Sequence, residues 1–177
     1  MDPISAKLRI GISSCLLGNE VRYDGGHRLN RYIITTFADR FDFVDYCPEV
    51  AIGLGTPREP IRLTAIAGEI RVREIKIPDD DVTVQLRNYA THILSHDRQL
   101  SGYIVKQGSP SCGMQQVPVY SEGKQVDMGI GEFTRTIIQL LPRLPVEEEG
   151  RLTDPLLLES FITRVFRYHK SIITTCD

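Results

Sequence analysis

The sequence predicts an α/β fold: a Rossmann-like, open, mainly parallel sheet flanked by helices, with a β-hairpin insertion and a C-terminal helical extension. Three observations predict it. Short apolar segments of strand period alternate with longer segments of helical period, the order that builds parallel sheets. Two alternating segments, "IRLTAI" and "EIRVREIKI", face each other across Ala67-Gly68 and read as a hairpin instead. Near the C-terminus, Thr153-Asp154-Pro155 opens a helix whose Leu158, Phe161, Ile162, Val165 and Phe166 fall at core spacing.

Each element has its own reason. In "KLRIGISSC", Leu8, Ile10 and Ile12 recur at period two and end in small polar residues, so a first strand opens into a loop at Cys15. The loop "LLGNEVRYDGGHRLN" is broken by Gly25-Gly26, and a helix over 30–39 follows. "FDFVDYC" reads as a second strand ending at Cys47, before the Pro- and Gly-punctuated loop "CPEVAIGLGTPREP". After the hairpin, Asp79, Asp80 and Asp81 suit the positive end of a helix that presents Val82, Leu86, Tyr89, Ala90, Ile93 and Leu94 on one face. The strand "YIVK" then runs into the Cys112 loop, and a helix over 129–141 stops before Pro142. The tract "PVEEEGRL" leads to the last helix, giving a division into a main domain, 1–145, and an extension, 146–177.

With 177 residues, 41% hydrophobic and 25% charged, the chain has the size and composition of a single folded domain that needs no disulfide or metal merely to fold. A net charge of -2 argues against general electrostatic capture of nucleic acid. No apolar run approaches the roughly 18 residues of a membrane span, and "MDPISAKLRIGISS" lacks a signal peptide's cationic start and long apolar core. A cytoplasmic protein is expected.

There the four cysteines, Cys15, Cys47, Cys112 and Cys176, read as thiols, metal ligands or buried fillers rather than disulfides. Three of them, Cys15, Cys47 and Cys112, fall just after predicted strands. If those strands are parallel, all three emerge at the carboxyl edge, where open α/β sheets bind ligands. A structural zinc wants four protein ligands, whereas three thiolates leave a position open on a zinc or on one iron of an iron–sulfur cluster. Spacing alone does not separate cluster, zinc and redox dithiol. Three readings follow: a cluster-dependent enzyme, a non-catalytic zinc- or iron–sulfur-binding module, and a thiol enzyme with Cys112 as a low-pKa nucleophile.

The blocks "SSCLLGNEVRYDGGH", "CPEVAIGLGTPREP" and "KQGSPSCG" resemble the three signature blocks of the thiouracil desulfidase (TudS) family, and the lengths between them fit. "LPVEEEGRLTDPLLLESFITRVFRY" resembles the junction into a second domain in longer relatives, the 4-thiouridine desulfidases (RudS). The resemblance implies a 4Fe-4S cluster held by Cys15, Cys47 and Cys112 with one open iron. It implies a non-redox exchange of C=S for C=O with release of sulfide. The implied partner is a thiolated pyrimidine, as base, nucleotide or part of tRNA. Glu49, in "CPE", is then the expected general acid/base and Ser109 the catalytic hydrogen-bonding group. Arg22, Tyr23, Lys106 and Ser111 are candidates for substrate contact. Each also has a plainer reading: loop braces for Arg22 and Tyr23, an ion pair for Lys106, a turn cap for Ser111. Arg58, in "TPREP", is open between the same alternatives. Cys176 matches no block and is expected at a frayed end.

Overall fold

The computed structural model describes residues 7–77, 79–96 and 99–174. Four parallel strands form the first sheet: β1 (Leu8–Ser13), β2 (Phe41–Tyr46), β5 (Leu100–Val105) and β8 (Val146–Glu148), in the order β2-β1-β5-β8. A parallel sheet must be covered on both faces, and the alternation of its strands supplies two apolar faces. Ile10, Ile12 and Ile104 pack with α1 (Arg31–Phe37) and α5 (Pro155–Thr174) through Ile33, Phe37, Phe161 and Val165. Tyr103, Val105 and Val146 pack on the other face with α3 (Thr83–His96) and α4 (Glu132–Leu140) through Ala90, Ile93, Phe133 and Ile137. Tyr103 lies across Gly11, where a Cβ would come within 2.4 Å of its ring. It stacks on Tyr46 of β2 at 5.8 Å.

The hairpin of β3 (Ile61–Ile66) and β4 (Glu69–Glu74) forms as expected, with Ala67 and Gly68 at positive φ in its turn. It does not extend the parallel sheet. It joins β6 (Val117–Ser121) and β7 (Lys124–Gly129) in a second sheet, order β4-β3-β6-β7. The inner face of this sheet, with Leu63, Val72, Val117 and Val119, packs against Val82 and against Leu86 of α3. One helix thus serves both sheets.

Two expectations are corrected. The helix placed over 129–141 begins at Glu132, because Lys124–Gly129 pairs antiparallel with β6. The helix after the aspartate run begins at Thr83, with the Asp81 carboxylate accepting the Thr83 N–H at 3.0 Å, while Asp79 pairs with Arg73. Residues 146–148 are β8, and Leu152, Phe161 and Val165 share a core with β1. Cys176 lies outside the described residues. Among the described residues no helix is long and apolar enough to cross a membrane.

Candidate active site

The site lies where β1, β2 and β5 end. After β1, a 3-10 turn, Ser14–Leu17, carries Cys15 and closes on Gly18 at φ 96. After β2, Cys47 stands directly before the short helix α2 (Pro48–Ala51), with proline at its first position. After β5, the loop from Lys106 turns through Gly108 and presents Cys112. All three thiols line one cavity of about 240 Å³, together with Glu49, Arg58 and Ser109. The convergence follows from topology: parallel strands emerge on one edge, so residues nearly a hundred positions apart become neighbours.

The Cys112 loop is fixed by distant elements. The N-terminal residues of α4 bind its carbonyls: Gly131 N–H to Gly113 O at 2.7 Å, Glu132 N–H to Pro110 O at 3.1 Å and Phe133 N–H to Ser111 O at 3.0 Å. The Thr134 hydroxyl donates to Cys112 O at 2.6 Å. The approach is so close that a Cβ on Gly131 would sit 2.5 Å from the Ser111 carbonyl carbon. From the far side, the carboxylates at the end of β8 take the loop's N–H groups. Glu148 Oε1 accepts from Met114 and Gln115 at 2.8 and 3.0 Å, and Glu149 Oε2 accepts from Gln107 at 2.7 Å. The three glutamates of "EEE" are all buried, Glu147 being paired with Arg151 and Arg164.

The predicted site residues separate by position. Glu49 Oε2 accepts from Arg58 Nε and Nη2 at 2.9 and 2.6 Å, and Oε1 accepts the Ser111 hydroxyl at 2.6 Å. Ser109 Oγ, on the cavity wall, lies 3.0 Å from Ser111 Oγ and accepts the Cys112 N–H at 3.1 Å. Ser111 is 1% exposed and joins Glu49 to the thiol loop. Lys106 lines the cavity and is paired with Glu149. Arg22 reaches the wall over the Tyr23 ring, 5.4 Å from its centroid and 3.6 Å from Asp24; its buried Nε has no hydrogen-bond partner. Tyr23 stands exposed at the rim.

Sequence reasoning left Arg58 open and missed Ser13, Glu148 and Glu149. Ser13 is buried on the wall and accepts the Lys106 N–H at 2.9 Å. Its only local signal was its place at a strand end beside a cysteine.

Burial sets the thiols' acidity. It pushes Cys112 up to about 12, with the Glu49 charge adding, against hydrogen bonds from Ser111 and Ser13 that favour the ionised sulfur. It pushes Cys15 up to about 11, against the charges of Arg22 and Lys106. Cys47 is also raised by burial, opposed by the N–H groups of Val50 and Glu49. Burial therefore disfavours the ionised form of a metal-free Cys112, which weighs against the low-pKa nucleophile reading. Among the described residues, no three His, Cys, Asp or Glu side chains stand close enough to hold a single metal ion. Three thiols lining one cavity are soft donors of the kind that hold iron–sulfur clusters.

Fold and cavity define a class: an α/β protein with a three-thiol cleft, lined by a carboxylate and a hydroxyl, at the carboxyl edge of its parallel sheet. The chain belongs to the family described as 2-thiouracil desulfurase, whose family model matches residues 10–149. It is 34% identical over 108 residues to the uncharacterized protein YbbK of Bacillus subtilis (strain 168), covering 58% of this chain and 71% of that one. Among solved structures it resembles a 4Fe-4S-dependent thiouracil desulfidase, TudS, with 32% identity and a TM-score of 0.63 over 87% of this chain and 99% of that chain.

Proposed function

We propose that this chain is a thiopyrimidine desulfidase, using a 4Fe-4S cluster held by Cys15, Cys47 and Cys112. The reaction is a hydrolysis, in which a ring C=S and one water give a ring C=O and hydrogen sulfide, with no net change of oxidation state. The observation that carries the reading is the meeting of three thiols with Glu49 and Ser109 on one cavity wall. Bound to those thiols, the cluster would supply a soft Lewis-acid iron that makes the thiocarbonyl carbon more electrophilic.

The chain's own residues do the rest. Glu49 takes the proton of the attacking water and returns a proton to the ring or the departing sulfur, work worth roughly 10²–10⁴-fold. Ser109 meets the substrate ring from the cavity lining it shares with Glu49. Its oxygen is anchored by the Cys112 N–H at 3.1 Å before substrate arrives. Arg22 brings positive charge to the side of Cys15, where an anionic sulfur-rich group gains from it. Tyr23 offers a ring at the mouth for stacking on a pyrimidine. Lys106 acts through Glu149, as a brace of the thiol loop.

The experiment is anaerobic cluster reconstitution, then sulfide release measured with 2-thiouracil, 4-thiouracil and 4-thiouridine monophosphate; 4-thiouridine-containing tRNA forms a fourth arm. Turnover of at least one is expected, with roughly 10²–10⁴-fold loss in Glu49→Gln at unchanged iron content. A fully loaded protein silent on all four would remove the assignment and leave a binding module.

A further inference from the structure

Glu49 is held from both sides by residues with no assigned role in turnover. The Arg58 side chain is 6% exposed and that of Glu49 13%. Two nitrogens of the guanidinium fall on Oε2, and the third, Nη1, donates to Gly55 O at 2.7 Å, so the planar fork has one orientation. Its main chain is tied as well, the Arg58 N–H donating to Tyr23 O at 2.9 Å. On the other oxygen, Ser111 commits its hydroxyl hydrogen to Oε1 at 2.6 Å. Ser109, 3.0 Å away, is therefore the donor in the serine pair. A glutamate's terminal torsion is otherwise broad.

We propose that Arg58 and Ser111 are the positioning residues of this site. Between them they fix the plane of the Glu49 carboxylate, so that its remaining lone pairs face the cavity, and Ser111 transmits that orientation to Ser109. The inference rests on the reading in which Glu49 handles the proton. A misaligned base loses rate without losing affinity, and a displacement of about 1 Å costs up to roughly 10²-fold. Lysine at position 58 would restore a point charge but not the fork.

The test uses the reconstituted chain. Arg58→Ala and Ser111→Ala should each lower kcat roughly 10- to 100-fold at near-constant KM and iron content. Arg58→Lys should fall between Arg58→Ala and the parent. Added ethylguanidinium should rescue Arg58→Ala saturably, whereas urea should not. Independently of activity, a double-mutant cycle of Arg58→Ala and Glu49→Gln on the denaturant midpoint of the metal-free chain should be clearly non-additive. Parental kcat in Arg58→Ala or Arg58→Lys, or an additive cycle, overturns the inference. If Arg58→Ala does not fold, the Arg58→Lys kinetics and the Ser111→Ala split between kcat and KM decide it. Full turnover in Glu49→Gln would instead remove the underlying reading; an inactive Glu49→Gln beside a parental Arg58→Ala would remove only this inference.

Discussion

Two loops that line the cavity differ in what holds them. The Cys112 loop is bound by the start of α4 and by Glu148 and Glu149, through partners 18 to 42 residues away. The loop of residues 18–30, with Arg22 and Tyr23, combines its own turns, Val21 N–H to Asn19 O, Gly25 N–H to Arg22 O and Gly26 N–H to Asp24 Oδ1, with ties to the ends of β1 and β2: Arg28 N–H to Cys15 O, Asn30 N–H to Leu16 O, and the Asn19 amide to Ser14 Oγ and Asp45 Oδ2. The Arg58 N–H adds a tie to Tyr23 O. Cys112 is thus placed by elements distant in sequence. The Tyr23 ring is exposed at the rim, where a change costs the fold little.

That contrast can be broken in order of expected effect. Cys112→Ser should abolish retention of the iron–sulfur group, measured as iron and acid-labile sulfide per chain, since hydroxyl is a poor substitute for a soft thiolate. Retention of full iron content would show that Cys112 is not a ligand. Glu148→Ala strands two part-buried N–H groups and should cost about 2–4 kcal/mol by chemical denaturation. Gly131→Ala drives a Cβ into the Ser111 carbonyl and should cost about 1–3 kcal/mol, with weaker cluster retention. Tyr23→Ala should stay within about 0.5 kcal/mol of the parent in stability while raising KM. A Tyr23→Ala effect as large as that of Glu148→Ala would erase the distinction between the loops.

The sequence showed the site's outline better than its support. Cys15, Cys47 and Cys112 were legible because each follows a predicted strand, and parallel topology does the rest. The charge run Glu147–Glu149 was read only as part of the tract leading to the last helix, because what buries it lies elsewhere: Arg164 on α5, Lys106, and the N–H groups of the thiol loop. The β6–β7 hairpin went unread because β7 is exposed along most of its length, with Lys124, Gln125 and Asp127 masking the strand pattern. The Glu49–Arg58 pair spans nine residues of irregular loop, and no periodicity links its members.

Helix α3 touches both sheets, with Leu86 turned to one and Ala90 and Ile93 to the other. The segment that brings Arg58 to Glu49 leads directly into β3, the strand seated on that helix. Rigidity therefore travels along a single rod: anything that tilts its first two turns moves the guanidinium, while its last turns hold the floor beneath Cys112. An insertion into the second sheet, though far from any sulfur in sequence, would be felt as a lost alignment at the carboxylate.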